Sequence, residues 1–209
     1  MIEKFFRDDL KKFKNYNVLC QNAKIKLDAN ESFINIMDEC KEDIINAVKN
    51  INFNRYPESD SLELCRVYSD YLGVPNKNVI AGNGSDEMIQ VIINTFIEKG
   101  DKVVTLNPEF SMYQYYTEVA GGKNIKVQTD ENFKCDVSYL IDKVNSENAK
   151  IFVFSNPCNP TGVVMDEEDI VKIIRGCNSI VVLDEAYTEF YGKSFIKRFN
   201  DFENLIVLR

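Results

Sequence analysis

An acidic pair, Asp184 and Glu185, directly follows the apolar run at 180–183, and Tyr187 lies three residues beyond Asp184. Four consecutive apolar residues predict a short strand that is buried on both faces. In an open parallel sheet, ligands bind just past the carboxyl ends of the strands, so a carboxylate at that point faces a crevice more often than the core. A buried carboxylate needs a cationic or hydrogen-bonding partner, and the sequence contains no His. The protonated ring nitrogen of a bound cofactor would suit Asp184, although a simple turn after the strand also explains it.

The stretch AGNGSDEM, residues 81–88, follows an expected strand at 79–81. Gly82 and Gly84 allow the backbone to turn tightly, and a helix that begins at Ser85-Asp86 presents free N–H groups that attract a phosphate. The glycine spacing does not match a dinucleotide fingerprint, and no G-K-[ST] follows. An ordinary glycine turn with a Ser/Asp helix cap explains the stretch equally well.

The stretches LNPEF (106–110) and SNPCNPTG (155–162) also follow expected strands. The ring of Phe110 could cover the flat face of a ligand, but the simpler interpretation places Phe110 and Tyr113 in the core of the next helix. Two Asn-Pro steps and a Gly predict a rigid, non-helical loop, in which the amide of Asn159 could donate to a ligand oxygen. A surface turn does not need this density of Asn and Pro, so the second stretch favours a function.

Regular alternation of strands and helices from Val79 onward predicts the scaffold that would position these residues. Such alternation is typical of an α/β protein with three αβα layers and a mainly parallel sheet. We expect residues 1–53 to form an N-terminal arm and small-domain helices, including amphipathic helices at 1–13 and near 36–49, and residues 54–209 to form the larger domain. The expected strands are 79–81, 102–106, 124–128, 150–154, 179–183 and 204–208, and the helices between them are 86–99, 110–120, 137–145 and 167–175.

Composition argues against several classes of function. The 209 residues are 44% apolar and 28% charged, which is ordinary for a soluble globular protein. The net charge of −8 argues against nucleic acid as a partner, and neither a membrane-spanning apolar run nor a secretion leader is visible. Six scattered cysteines without a C-x-x-C pair favour free thiols in the cytoplasm, and we expect no metal site.

Together, SNPCNPTG and VVLDEAYTEF resemble the paired motifs of the fold-type I pyridoxal-phosphate (PLP) aminotransferases of class I/II. LDANES (27–32), RYP (55–57), GNGSDE (82–87) and PEFSMY (108–113) extend the resemblance over nearly the whole chain from Lys26. These stretches are most similar to the histidinol-phosphate aminotransferases and their relatives. N-P-T-G followed by D-E-A-Y is a strong combined signal, whereas each half alone is weaker.

The resemblance implies that four residues contact the ring of pyridoxal 5'-phosphate. Asp184 would pair with the pyridine nitrogen and keep it protonated, so that the ring acts as an electron sink. Asn159 and Tyr187 would hydrogen-bond the phenolic oxygen of the ring. Phe110 would stack on the ring, where many relatives have Tyr.

The resemblance also implies contacts around the phosphate and the substrate. Gly84, Ser85 and Asp86 would lie at the phosphate through the start of their helix. Tyr56 would reach the phosphate of the partner subunit in a homodimer, and Asn30 would lie on the substrate side.

One segment of the family pattern is absent from the 209 residues. In the family, the strand matching 204–208 runs into Ser-x-Ser-Lys or Thr-x-Ser-Lys, whose Schiff-base Lys holds the cofactor and moves the proton. Lys193 and Lys197 lie in a polar stretch and are not expected to replace it. Because the sequence ends on an apolar strand, we expect a larger protein cut short, with an incomplete large domain that is inactive alone.

The resemblance implies transfer of an amino group from an amino-acid-like donor, histidinol-phosphate-like or aromatic, to a 2-oxo acid such as 2-oxoglutarate. Two alternatives stay open. A PLP-dependent phosphoamino-acid decarboxylase of the same fold would use the same Asp, Asn and Tyr roles. A non-catalytic, dimerising fragment would account for the missing lysine.

Overall fold

The computed structural model describes residues 2–11, 13 and 24–209, and the chain divides into two compact units, Met1–Ser59 and Asp60–Arg209. The first unit contains two short 3-10 helices, Ile2–Phe5 and Asp8–Leu10, and the helix α1, Met37–Lys49. The expected helix over 1–13 is therefore wrong in its described part. A lone helix of that length is marginal in water, and local ion pairs such as Lys11–Asp8 hold the short turns instead.

The second unit is built around a five-stranded sheet in which every neighbouring pair is parallel. This arrangement confirms the expected α/β class with a parallel sheet, because the connections between strands carry helices. The strand order is β2-β1-β3-β4-β5. The strands are β1 Lys102–Asn107, β2 Lys123–Gln128, β3 Ile151–Ser155, β4 Ile180–Asp184 and β5 Leu205–Leu208.

The expected strand at 79–81 does not form. A 3-10 turn at Asn76–Asn78 precedes it, and the Val79 N–H donates to the Asn76 carbonyl in that turn. The side chain of Ile80 is exposed, whereas Val79 and Ala81 are partly buried. A run of only three apolar residues beside a glycine turn was too short to specify a strand.

The helix expected near 36–49 and the four expected between the strands form to within a few residues of their expected places. α3 begins two residues earlier than expected and ends earlier, because Ile97 adopts an extended backbone. α2 ends at Gly73, whose φ of +69° suits glycine and closes the helix. The helices of the second unit are α2 Leu62–Leu72, α3 Gly84–Phe96, α4 Ser111–Val119, α5 Val137–Ser146, α6 Glu167–Gly176 and α7 Thr188–Tyr191.

Alternate strand residues supply two separate cores, one on each face of the sheet. On one face, Val103, Ile151 and Val182 pack with apolar residues of α3 and α4. On the other face, Phe152 and Leu183 pack with apolar residues of α5 and α6. Each strand of the sheet interior is thus buried on both sides, as a continuous apolar run predicts.

Across the described ranges, no helix is long and apolar enough to cross a membrane, and no group of three or more His, Cys, Asp or Glu could hold a metal ion. The five cysteines in those ranges are free thiols, and Cys20 lies outside them.

Candidate functional site

Asp184 ends β4 and is 4% exposed. Its Oδ2 accepts from the Tyr113 hydroxyl at 2.7 Å, and its Oδ1 accepts from the Ala186 N–H at 2.9 Å. Burial raises the pKa of Asp184, and these two hydrogen bonds oppose that rise only in part. Within the described part of the chain, no Lys or Arg forms an ion pair with this carboxylate. Its acceptor sites are not all used, since a carboxylate has about four of them.

Tyr113, on α4, is fully buried and joins this helix to the end of β4. Burial, together with the nearby carboxylates of Asp184 and Glu109, raises the pKa of Tyr113 well above its ordinary value, so its hydroxyl stays a donor. Phe110 packs against it edge-on, with ring centroids 5.6 Å apart. Sequence reasoning assigned Tyr113 only to the helix core. The spacing of three residues from Phe110, which puts both rings on one helix face, was the signal that could have joined it to the site.

The loop that follows β3 carries Asn159 at the same edge of the sheet. The Asn159 N–H donates to the Ser155 hydroxyl oxygen at 2.9 Å, and the Asn156 N–H donates to the Asp184 carbonyl at 2.8 Å. Ser155 and Asp184 are direct partners in the β3–β4 ladder. The Asn159 side-chain amide makes no hydrogen bond with any residue that the structure describes, so it can donate to a ligand.

Glu109, at the end of β1, is a second carboxylate at this edge, and sequence reasoning missed it. Its side chain contacts the Ser155 hydroxyl and accepts from the Ser155 N–H at 3.2 Å. Burial raises the pKa of Glu109 to about 7, and the charge of Asp184 acts in the same direction. Its place directly before Phe110 in an Asn-Pro-Glu-Phe turn was the only sequence signal for it.

The turn before α3 places the expected phosphate residues at the start of that helix. Gly84 has a φ of +79°, which favours glycine, and a side chain at Gly82 would require the side chain of Met88 to move. Ser85 is partly buried and Asp86 is exposed. The Glu87 carboxylate accepts from the Asn83 N–H, so one free donor of the helix start is already used inside the chain.

Burial raises the pKa of Tyr116 on α4, and the nearby carboxylate of Asp86 raises it further. Asp86 therefore lies close to Tyr116. The start of α3 therefore lies beside the helix that carries Tyr113. Tyr187 is partly buried and precedes α7, with its ring centroid 6.4 Å from that of Phe190.

Tyr56 and Asn30 belong to the first unit. Tyr56 is fully exposed, and Asn30 is exposed with a φ of +52°. Their expected contacts with a partner's phosphate and with substrate stay predictions. The site at the carboxyl edge is built from residues of the second unit alone.

Three comparisons with known proteins show which proteins the chain is similar to. Residues 18–209 match the family Aminotransferase class I and II, and the chain belongs to that family. It is 50% identical over all 209 residues to the histidinol-phosphate aminotransferase of Clostridium novyi (strain NT), and it spans 59% of the length of that relative.

The fold is similar to those of two solved structures. The histidinol-phosphate aminotransferase of Sinorhizobium meliloti in complex with pyridoxal-5'-phosphate matches with a TM-score of 0.68 and 25% identity, over 78% of this chain and 46% of that one. The L-threonine-O-3-phosphate decarboxylase of Porphyromonas gingivalis matches with a TM-score of 0.65 and 21% identity, over 81% and 50% of the two chains. The second likeness concerns the fold alone.

Proposed function

We propose that the chain carries the cofactor-binding part of a PLP-dependent aminotransferase. The reaction moves an amino group from an amino-acid-like donor, histidinol-phosphate-like or aromatic, to a 2-oxo acid such as 2-oxoglutarate. The observation that carries the proposal is Asp184, a buried carboxylate that no cation of the described chain neutralises. Family membership and the 50% identity to a histidinol-phosphate aminotransferase support the same reaction and donor class.

The donors and acceptors around Asp184 fit PLP. A pyridine nitrogen that carries a proton is both a cation and a donor, and such a charge-assisted hydrogen bond contributes about 1.5–3 kcal/mol. The carboxylate keeps acceptor capacity beyond the two donors that hold it. When bound, PLP supplies an electron sink that stabilises negative charge at the substrate carbon.

The residues of this chain bind and orient that ring. Asp184 holds the proton on the ring nitrogen, and the Tyr113 hydroxyl and the Ala186 N–H fix the direction of its carboxylate. Phe110 covers one face of the ring and keeps water from it. Asn159 and Tyr187 donate hydrogen bonds to the phenolic oxygen of the ring.

The start of α3 holds the phosphate. Ser85 and the backbone N–H groups near Gly84 supply donors, because the first N–H groups of a helix lack partners within it. Asp86 contributes through its backbone, since its own charge repels a phosphate. Asn30 faces the substrate.

The same proposal includes a cytoplasmic homodimer. Tyr56, fully exposed within its own unit, reaches the phosphate of the partner subunit. The free thiols of the described cysteines suit a reducing compartment.

Two measurements test the proposal. Equilibrium dialysis of the 209-residue chain against PLP should give saturable binding at one site per chain. A protein that extends this chain through a Ser-x-Ser-Lys or Thr-x-Ser-Lys segment to the full length of the Clostridium novyi relative should convert 2-oxoglutarate to glutamate with histidinol phosphate or an aromatic amino acid as donor. Release of carbon dioxide from a phosphoamino acid, without 2-oxo acid turnover, would assign a decarboxylase instead. Absence of PLP binding in both proteins would reject the cofactor and the reaction together.

A further inference from the structure

The side chain of Glu109 joins β1 to β3 beyond the point where their ladder of backbone pairs has ended. The β1–β3 register runs only as far as Thr105↔Val153, whereas β3 continues to Ser155. At that position the Ser155 N–H donates to Glu109 Oε2 at 3.2 Å. A side-chain carboxylate thus takes the place of the strand carbonyl that would otherwise accept this N–H.

The same carboxylate holds backbone on both sides of the site. Glu109 Oε1 accepts from the Phe110 N–H at 3.1 Å and contacts the Ser155 hydroxyl. The Ser155 hydroxyl oxygen accepts from the Asn159 N–H. The hydrogen of the same hydroxyl is then available to donate to Glu109. One relay, from Glu109 through Ser155 to Asn159, therefore links the residue proposed to cover the ring to the residue proposed to hold its phenolic oxygen.

Neutralising a cation is not the role of this carboxylate. In the described ranges, no Lys or Arg forms an ion pair with Glu109. The titratable groups that face it are Asp184 on β4, Tyr113 on α4 and Cys158 in the loop, whose thiol lies 3.8 Å from Oε1. All the close partners of Glu109 are N–H, O–H or S–H groups that it orients.

We propose that Glu109 is a positioning residue for the cofactor site, which sets Phe110 and, through Ser155, Asn159 at the spacing that the ring requires. The inference rests on the proposed PLP site and adds to it a residue to which the sequence motifs assigned no role. Glu109 does not touch the ring itself. It acts through the two backbone segments that it joins.

Four variants test the relay: Glu109→Ala, Glu109→Gln, Ser155→Ala and, as a matched control, Glu131→Gln, an exposed Glu in a nearby turn. PLP dissociation constants are measured by equilibrium dialysis at pH 6 and pH 8. Glu109→Ala and Ser155→Ala should weaken binding roughly tenfold, and Glu109→Gln, which keeps one acceptor, roughly threefold. Glu131→Gln should bind within about twofold of the wild type, as is usual for a surface substitution.

The pH dependence separates positioning from simple loss of packing. Because burial raises the pKa of Glu109 to about 7, its anionic form, the stronger acceptor, prevails at pH 8. The ratio of the Glu109→Ala to the wild-type dissociation constant should therefore be larger at pH 8 than at pH 6. An equal ratio at the two pH values would overturn the inference, as would unaltered binding in either alanine variant.

Hydrogen exchange of the Asn159 N–H tests the relay without any cofactor. In ¹⁵N-asparagine-labelled protein, Glu109→Ala and Ser155→Ala should remove the protection of this amide, and Glu109→Gln should retain part of it. Full protection in the Glu109 variants would refute the relay even if the wild type bound no PLP, a result that would reject the proposed function separately. If Glu109→Ala does not fold, Glu109→Gln and Ser155→Ala decide the matter.

Discussion

Two adjacent carboxylates, Asp184 and Glu185, are both buried at the end of β4, yet their surroundings differ. Glu185 accepts from the Phe195 N–H at 2.6 Å and the Ser194 hydroxyl at 2.5 Å, and it pairs with the Arg209 guanidinium at 3.2 Å. Among the residues that the structure describes, the side chain of Asp184 accepts from two neutral donors, the Tyr113 hydroxyl and the Ala186 N–H. Because successive side chains along a strand point to opposite faces, the two neighbours meet different parts of the fold.

This difference in ionic partners distinguishes a structural carboxylate from one that is available to a ligand. A buried charge is costly unless it is paired, and Glu185 has its cation within the chain. Asp184 forms no ion pair with a Lys or Arg of the described chain, and burial raises its pKa. A cationic ligand at Asp184 would complete the pattern that Arg209 completes at Glu185.

The largest effect is expected on the free energy of unfolding, from the substitution Glu185→Ala. Within the described ranges, Glu185→Ala leaves the Arg209 guanidinium with one ionic partner, the exposed carboxylate of Glu189. The free energy of unfolding should fall by about 3 kcal/mol, because breaking a buried ion pair strands one charge. Urea denaturation measures it. Glu189→Ala is the control and should cost less than about 1 kcal/mol. An equal loss in the two variants would show that the buried pair is not special.

A second effect is expected on ligand binding at the other carboxylate. Asp184→Asn should weaken PLP binding by roughly 10- to 100-fold, because it removes a charge-assisted hydrogen bond of about 1.5–3 kcal/mol. The unfolding free energy without cofactor should stay within about 1 kcal/mol of the wild type, since no cation loses its partner. Dialysis and urea denaturation measure the two quantities. A large loss of stability with unchanged PLP affinity would make Asp184 a structural residue like Glu185.

A third effect concerns pH. The pKa of Glu109 is raised to about 7 in the folded protein, from an ordinary value of 4.5. The folded state therefore holds more protons than the unfolded state between these values, and stability declines as pH rises through this window. Asp184, whose pKa is also raised, acts in the same direction.

Glu109→Gln should remove the part of the decline in stability with pH that the Glu109 carboxyl causes. The stability of the variant relative to the wild type should rise between pH 4.5 and pH 7.5, by on the order of 2 kcal/mol. Urea denaturation of both proteins across this range measures it, and the titrations of groups remote from Glu109 cancel in the difference. A constant difference would mean that Glu109 titrates near its ordinary value.

The smallest effect is expected from Tyr113→Phe. This change removes the hydroxyl that donates to Asp184 but keeps the buried ring. We expect a loss of about 1 kcal/mol in unfolding free energy, typical of one hydrogen bond, and a further rise in the pKa of Asp184. Carboxyl-selective NMR titration and urea denaturation measure the two. Tyr139→Phe, on an exposed ring of α5, is the control and should change neither.

Local patterns predicted most of the fold, because apolar runs of five or so residues have few alternatives to a buried strand. Five of the expected strands form close to their expected places. The expected strand at 79–81 failed where the run was shortest and no neighbour could cover Ile80.

The site was predictable only where a residue follows a strand within its own motif. Asp184 and Asn159 follow expected strands, and the structure places both at the carboxyl edge of the sheet. Tyr113 and Glu109 were missed because their partners are 71 and 46 residues away along the chain. Periodicity reports which face of an element is apolar, but it carries no information about a polar partner on a distant element.

That separation has a consequence for how the protein matures. The contact between Tyr113 and Asp184 closes a long loop of chain, which costs conformational entropy. Contacts made by the intervening strand β3 offset that entropy cost once β3 has joined the sheet. We therefore expect the pocket edge to be among the last features that form during folding. A molecule of PLP that binds only the finished edge draws the population toward the native state by mass action, so its retention reports that assembly of the sheet is complete.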